Sequence, residues 1–293
     1  MLTFMMALAS AQTPFPDFVD GVIEPTSWYA NGVQSPSMVW TGTRFVLAFS
    51  TPVRGACRGS SAIGLATSRD GFDWRVRQRP AVAPRGFAQQ PLFATTRCGG
   101  SQPALVKDGD TWLLYFVEGD TVGLVTYENG FSETFHAVVS GVREPSVTKT
   151  RGVYMMAAET QDGGLWFAES ADGRTWQEAG ALPAGITSWS QDALISPSIS
   201  CDPDPGSSMP YKAAFGGFTG AKWGITEAIS NNGDMWFLTT AWYVGYDPQW
   251  TSWDAVWGDG EVAFVYEQSN GGPSRLGVAI TGTLGTPQSR SCP

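Results

Sequence analysis

The sequence predicts an all-β fold, specifically a five-bladed β-propeller whose ring is closed by an N-terminal strand. A short phrase recurs five times along the 293 residues, and each copy opens an apolar alternating run typical of a β-strand. The copies start at positions 34, 101, 143, 195 and 252, so each unit has about the length of a four-stranded propeller blade. The 35 glycines, 19 prolines and 13 tryptophans suit many turns and aromatic-rich strands rather than helices.

The recurring phrase is clearest at Arg143-Glu144-Pro145-Ser146-Val147, where a carboxylate precedes the proline. The other copies are Gln34-Ser35-Pro36-Ser37-Met38, Ser101-Gln102-Pro103-Ala104-Leu105, Ile195-Ser196-Pro197-Ser198-Ile199 and a degenerate Trp253-Asp254-Ala255-Val256. Each copy is predicted to begin the innermost strand of one blade.

Each unit is predicted to contain strands A, B and C, a turn and strand D. In the first unit these are Met38–Trp40, Arg44–Phe49, Ala62–Thr67 and a strand that opens at Trp74–Arg77. Strands A to C of the second unit are Ala104–Lys107, Trp112–Val117 and Val122–Tyr127, followed by an Asn129-Gly130 turn. Strands B and C of the last three units are Val153–Glu159 and Leu165–Glu169, Lys212–Phe215 and Trp223–Ile229, and Glu261–Tyr266 and Leu276–Ile280.

Three units carry a Ser-x-Asp/Asn-Gly-x-x-Trp turn, at Ser68–Trp74, Ser170–Trp176 and Ser230–Trp236. Asp-Gly and Asn-Gly supply the positive φ that a tight hairpin turn requires, and the tryptophan is expected to pack between neighbouring sheets. We therefore expect a structural role for these turns, although they resemble the Asp boxes of sialidases.

The fifth unit ends after strand C, whereas Phe15–Ile23 precedes the first unit. We predict that Phe15–Ile23 supplies strand D of the fifth blade by pairing with Leu276–Ile280.

Residues 1–11 are predicted to be a signal peptide, which leaves 12–293 as a single propeller domain. Met1–Leu8 is a short apolar run, too short to span a bilayer, and Ala9-Ser10-Ala11 has the pattern of a cleavage site. A positively charged start is missing, so a buried N-terminal strand is the alternative. A signal peptide implies a protein that is secreted, periplasmic or at the cell surface.

The net charge of −9, with only 18 Lys and Arg, argues against nucleic acid or an anionic membrane as a partner, and protein partners are left open. The single histidine, His136, allows no Ser-His-Asp triad, and no Cys-x-x-Cys pair indicates zinc. We expect no cofactor and no metal.

The four cysteines allow three pairings. In a propeller the B–C and D–A loops share one face with the start of strand A, and the A–B and C–D turns share the other. Cys57 and Cys98 fall on the first face, and Cys201 and Cys292 on the second. This placement favours the disulfides Cys57–Cys98 and Cys201–Cys292, as expected for an exported protein.

Loops of the first face also collect aromatic residues, which could offer flat surfaces for stacking sugar rings. The alternative is that their rings only pack the loops together. These residues are Trp28, Tyr29, Trp189, Tyr246, Trp250 and Trp253.

The acidic-Pro phrase, together with the Ser-x-Asp-Gly-x-x-Trp turns, resembles the five-bladed propeller glycoside hydrolases of families 43, 32 and 68, over residues 12–290. This resemblance implies carboxylates at the axial ends of the inner strands, one as base or nucleophile and one as general acid. Glu144 matches the general-acid position. Ser35 and Gln102 stand where the family has its other acids, and neither can act as a base.

Asp254 in the fifth phrase and Asp192, four residues before Ser196, are the remaining candidate acids. The side chains of Ser35, Gln102 and Ser196 would then line the site as substrate-binding groups. We also expect Arg143 or Arg97 to pair with Glu144, which would keep the carboxylate ionised and unable to donate a proton near neutral pH.

The sequence therefore predicts a secreted carbohydrate-binding propeller, a degenerate glycosidase-like module. The first alternative is an active glycoside hydrolase with Glu144 as general acid and Asp254 or Asp192 as base. The second is a structural or adhesive extracellular subunit.

Overall fold

The structure, a computed structural model, describes residues 17–55, 57–95, 98–127, 135–182, 187, 190–202, 204, 206–220, 222–245, 250–257, 262–269 and 272–280. Five β-sheets form a five-bladed propeller, as the sequence predicts. No helix among these residues is long and apolar enough to cross a membrane. The predicted signal peptide at 1–11 lies outside the described residues.

The chain enters with β1 (Asp17–Ile23) and a 3₁₀ turn (Ser27–Tyr29). Blade one contains β2 (Gln34–Trp40), β3 (Phe45–Pro52), β4 (Ser61–Ser68), β5 (Arg75–Val76), β6 (Val82–Pro84) and β7 (Phe93–Thr95). Blade two contains β8 (Ser101–Asp108), β9 (Thr111–Glu118), β10 (Thr121–Tyr127) and β11 (His136–Ser140). Blade three contains β12 (Val142–Thr150), β13 (Val153–Thr160), β14 (Leu165–Ser170) and β15 (Gln177–Leu182). Blade four contains β16 (Ala193–Cys201), β17 (Tyr211–Thr219), β18 (Lys222–Ser230) and β19 (Phe237–Gly245). Blade five contains β20 (Trp250–Trp257), β21 (Val262–Gln268) and β22 (Arg275–Ile280).

The ring is closed by β1, which pairs antiparallel with β22 and so completes blade five. Asp17 stands opposite Ile280, and the Tyr266 hydroxyl donates to Asp20 Oδ1 at 2.6 Å. The predicted closure is confirmed, with the described strand starting at Asp17 rather than Phe15.

A β-bulge interrupts every inner strand near its start, so that two residues face one residue of the neighbouring strand. In four blades the first bulge residue has a positive φ and precedes the proline. These residues are Ser35 (45°), Gln102 (50°), Glu144 (47°) and Ser196 (46°). We call this group the collar.

Blade five does not follow the predicted register. Its bulge holds Thr251 and Ser252 opposite Glu267, so Thr251 occupies the position of the four collar residues. Asp254 lies three residues further along β20. The degenerate phrase suggested that Asp254 stands at the start of the inner strand. The structure places Asp254 within β20 instead.

Just beyond the bulges, hydroxyl and carboxylate groups join neighbouring inner strands, in a group that we call the belt (Ser37, Ser146, Ser198 and Asp254). The backbone N–H groups of Leu105, Ile199 and Ala255 each donate to the Oγ of the belt serine in the preceding blade, at 2.9 Å. Met38 N donates to Asp254 Oδ2 at 2.6 Å and closes the belt between blades five and one. The serine that follows the proline in the phrase therefore holds blades together.

The three predicted turns form as expected. In the first, Asp70 Oδ1 accepts from the backbone N–H groups of Phe72 and Asp73, and Ser68 Oγ accepts from Gly71 N at 2.9 Å. Gly71, with a φ of 84°, supplies the left-handed conformation that the turn requires. Trp74 Nε1 donates back to Gly71 O at 2.7 Å, which supports a structural role. The Asn129-Gly130 turn lies outside the described residues.

Cys57 and Cys98 form a disulfide, as predicted, with their Cα atoms 5.3 Å apart. Cys201 is also disulfide-bonded. Its predicted partner, Cys292, lies outside the described residues.

Candidate functional site

The collar and its prolines line a narrow pocket at the axial end of the inner strands, beside Ser252, Trp253 and the belt. Its free volume is about 20 Å³, which is room for roughly one water molecule. Beyond the belt, towards the other face, the channel widens to about 460 Å³, lined by apolar residues such as Met38 and Ile199 and by charged ones such as Asp108 and Lys149. The belt therefore separates a tight collar pocket from a roomier lower channel.

Acceptors from neighbouring blades hold the collar backbone in its positive-φ conformation. Glu144 N donates to Gln102 Oε1 at 3.1 Å, and Ser196 N donates to Glu159 Oε1 at 2.6 Å. Ser35 N is shared between Ser252 Oγ and Glu267 Oε2, at 3.1 and 3.2 Å. A residue other than glycine in such a conformation costs roughly 1–3 kcal/mol, so these hydrogen bonds offset strain at the axis.

The carboxylate of Glu144 is enclosed by its neighbours. Ser196 Oγ donates to Oε2 at 2.6 Å, Gln102 Nε2 donates to Oε1 at 3.4 Å, and the carboxyl shares a hydrogen bond with Glu159. Burial, and next the negative charge of Glu159, raise the pKa of Glu144 to about 8, against the opposing effect of the Ser196 hydroxyl. Loss of the Glu144 proton is therefore disfavoured.

The predicted ion pair between Arg143 and Glu144 is wrong. Arg143 Nε binds Glu159 Oε2 at 2.7 Å instead, because Arg143 stands directly opposite Glu159 in the pairing of β12 with β13. Arg97, the other predicted partner, lies outside the described residues.

Glu159 and Glu267 belong to the site although the sequence analysis did not single them out. Both are buried, with 3% and 6% of their surface exposed, near the end of the second strand of a blade. The available signal was a lone carboxylate at the end of an apolar strand, Val153–Thr160 or Val262–Gln268, because such a position is otherwise buried.

Asp254 serves the belt rather than the collar. Its Oδ1 accepts from Ser198 Oγ at 2.5 Å and from its neighbour Ala255 N at 3.0 Å, while Oδ2 accepts from Met38 N. Burial raises the pKa of Asp254 to about 6, and the hydrogen bonds, first that of Ser198, oppose the rise. With its oxygens occupied, Asp254 holds three blades together.

Asp192 is not brought to the collar. It is exposed, its Oδ2 accepts from the backbone N–H of Gly220 in the turn between β17 and β18, and it does not line the axial pocket. The structure therefore places the three candidate acids in three different environments.

Three predicted sugar-stacking residues instead lie in the core. Trp28 and Tyr29, 7% and 8% exposed, pack on Phe49 at ring-centroid distances of 6.2 and 5.7 Å. Trp253 is 3% exposed and meets Trp223 edge to face, at 5.9 Å. These rings belong to the hydrophobic core, where burial of apolar surface is favourable.

The side chains of the other three predicted stacking residues lie outside the part of the chain that the structure describes. Trp189 and Tyr246 lie outside the described residues, and Trp250 begins β20 with its side chain outside them. Among the side chains that are described, no group of three or more His, Cys, Asp or Glu is placed to hold a metal ion.

No model of a known protein family and no curated protein matches this sequence. Solved structures do match in fold. The catalytic domain of the family 62 α-L-arabinofuranosidase of Coprinopsis cinerea has a TM-score of 0.62 and 11% identity, over 92% of this chain and 98% of that one. The β-1,2-mannobiose phosphorylase of Listeria innocua has a TM-score of 0.61 and 14% identity, over 85% of this chain and 89% of that one. Trypanosoma rangeli sialidase has a TM-score of 0.55 and 10% identity, over 87% of this chain and 55% of that one. The chain therefore shares the five-bladed propeller fold of glycoside hydrolases.

Proposed function

We propose that the protein is a secreted carbohydrate-binding propeller whose axial site no longer supports glycoside hydrolysis. One observation carries the second half of this proposal: the only acid of the collar, Glu144, is in hydrogen-bond contact with Glu159 inside a pocket of about 20 Å³. The shared fold and the protein names of its structural neighbours support the first half.

Hydrolysis of a glycosidic bond needs two carboxyl groups on either side of the sugar, about 5–5.5 Å apart in retaining enzymes and about 6.5–9.5 Å in inverting ones. Two carboxyl groups in mutual contact leave no room for a sugar or an attacking water between them. Ser35 and Gln102 cannot act as a base, and both carboxylate oxygens of Asp254 already accept hydrogen bonds within the belt. The collar therefore supports a closed structural network better than a catalytic pair.

Glycan binding is proposed for the face that carries the collar. Trp189, Tyr246 and Trp250 remain as the candidate stacking residues, since the first two precede the inner strands of blades four and five in the sequence and Trp250 begins β20. Secretion is supported by the Cys57–Cys98 disulfide, which persists in oxidising compartments, and by the signal-like start of the sequence.

A second candidate is an active glycosidase in which Glu144 is the general acid. The raised pKa of Glu144, about 8, favours this candidate because a general acid must be protonated at the working pH. It would require the contact between Glu144 and Glu159 to open when substrate binds.

The test compares wild type and Glu144→Gln on a panel of aryl glycosides and polysaccharides, and measures oligosaccharide binding by calorimetry. We expect binding without turnover, and binding weakened at least about tenfold when Trp189, Tyr246 and Trp250 are replaced by alanine, since each stacked ring contributes roughly 1 kcal/mol. Phe237→Ala, at a residue 48% exposed on the outer strand of blade four, is the control and should bind as wild type does. Turnover that disappears in Glu144→Gln would establish the second candidate instead.

A further inference from the structure

The net charge of −9 is very unevenly distributed. Residues 44–97, which form most of blade one and the loop into blade two, contain nine arginines, no lysine and only two acids, Asp70 and Asp73. This stretch therefore carries +7, and the other 239 residues together carry −16. Half of all the cationic residues therefore lie within this stretch of the sequence.

Five of these arginines lie from the turn after β4 to the residue that follows β6, in the segment that pairs with β4 on the outer side of blade one; β7 pairs in turn with the outer side of β6. All five are exposed, and none forms an ion pair with a residue that the structure describes. We call this group the basic edge: Arg69, Arg75, Arg77, Arg79 and Arg85.

The pairing of the outer strand fixes where these side chains lie. Arg75 stands opposite Thr67, and Arg77 N donates to Leu65 O at 2.9 Å, so the two arginines share one face of the strand. Trp74 and Val76 alternate with them and pack into the core. The next pairing bond runs from Ala81 N to Ile63 O, at 2.7 Å, so residues 78–80 form an outward bulge that carries Arg79. From Arg75 to Arg85 the chain, which includes β5 and β6, extends over at most about 35 Å.

Protection of an exposed sheet edge does not explain the basic edge. Charged residues on edge strands do prevent pairing with other chains. However, the outer strands of the other four blades, β1, β11, β15 and β19, contain no lysine or arginine at all. A run of unpaired arginines is confined to blade one.

We propose that the basic edge binds a linear anionic polysaccharide, through its carboxylate or sulfate groups. The planar guanidinium group donates two parallel hydrogen bonds to such an anion, which suits arginine better than lysine. The Cys57–Cys98 disulfide, which joins two loops of this region, indicates an oxidising compartment, where acidic glycans are available as polyanions. A nucleic acid is disfavoured because disulfides such as Cys57–Cys98 are rare in the cytosolic and nuclear proteins that meet nucleic acids. This site is separate from the collar and does not rest on glycan binding there.

The test measures binding of the full-length protein to immobilised heparin, a sulfated polymer, and polygalacturonate, a carboxylated one, in 0.15 M NaCl. We expect binding to at least one of them that weakens with rising salt, and at least about tenfold loss in Arg75→Gln/Arg77→Gln/Arg79→Gln. The control variant, Lys107→Gln/Arg151→Gln/Arg174→Gln, also removes three positive charges, but from exposed sites in blades two and three. It should bind within about twofold of wild type if position rather than net charge matters.

The comparison of the two polymers distinguishes sulfate from carboxylate recognition. Equal losses in both triple variants, no binding to either polymer, or tighter binding to duplex DNA than to both polymers would overturn the proposal. If the first triple variant fails to fold by circular dichroism, Arg79→Gln and Arg85→Gln take its place, since neither residue lies in the paired part of the strand. A wild-type affinity in both of those variants would equally overturn it.

Discussion

At the scale of single residues, two carboxyl groups near the axis have raised pKa values and so make the stability of the fold depend on pH. Burial raises the pKa of Asp254 to about 6 and that of Glu144 to about 8. Asp70 and Asp172 in the hairpin turns differ, because backbone N–H groups lower the pKa of each. The turn carboxylates lose their stabilising effect only below about pH 4, so the two classes act in separate pH ranges.

We expect the free energy of unfolding to fall as the pH rises from about 4 to about 8. Between the unfolded pKa of an acid, about 4, and its raised folded pKa, the folded state binds more protons than the unfolded state, so raising the pH favours unfolding. For Asp254 a shift of about two units corresponds to roughly 3 kcal/mol. Urea unfolding at pH 4, 6 and 8 measures the effect.

Two variants separate the contributions of these acids. Asp254→Asn should reduce the slope between about pH 4 and 6, where Glu144 still contributes, and Glu144→Gln should reduce the slope over the whole range from about pH 4 to 8, because each removes one titrating group. A wild-type stability that increases from pH 4 to 6, or a slope unchanged in Asp254→Asn, would contradict the assignment.

At the scale of elements, the inner strands combine a strained bulge with a hydrogen bond to the next blade. The bulge turns the collar residue towards the axis, and the belt serine two residues later reaches the neighbouring strand. In blade two the corresponding residue is Ala104, which has no hydroxyl group, so the belt is discontinuous there. The phrase in the sequence thus encodes blade-to-blade attachment as well as strand starts.

The belt predicts a specific effect of Ser198→Ala. The Ser198 hydroxyl accepts from Ala255 N at 2.9 Å and donates to Asp254, so its removal deletes two buried hydrogen bonds and leaves the Asp254 carboxyl with only backbone donors among these partners. We expect a loss of about 1–3 kcal/mol in the free energy of unfolding. Ser200→Ala, on the same strand but partly exposed, should change it by less than about 0.5 kcal/mol. Equal effects in both variants would show that the belt does not stabilise the fold.

At the scale of the whole molecule, local signals explain why the architecture could be predicted. The phrases, the Asp-Gly turns and the missing fourth strand of unit five all lie within short stretches of sequence. The partners of the collar could not be predicted in this way, since Ser35 N meets Glu267 across 232 residues. The pairing of Arg143 with Glu159 likewise depends on strand register. The net charge of −9 also concealed the basic edge, although the nine arginines of residues 44–97 are visible in the sequence; the structure adds that five of them are exposed along one side of blade one.

The ring is closed by the pairing of β1 with β22, and this pairing buries apolar side chains. Ile23, Leu276 and Val278 are at most 3% exposed where β1 covers β22, and Asp20 accepts from Tyr266 and Gln268. Removal of residues 1–24 would expose this apolar surface, leave β22 as an unpaired edge and break the chain connection between blades five and one, so that only contacts between side chains and backbone of neighbouring blades close the ring. We expect the truncated protein to lose cooperative thermal unfolding, whereas a chain that starts at Asp17 should retain it. A synthetic peptide of residues 17–24, added in trans, should restore part of the transition in proportion to its concentration, because it binds only the folded ring. A truncated protein with the unfolding midpoint of the longer chain would show that β1 is dispensable for closure.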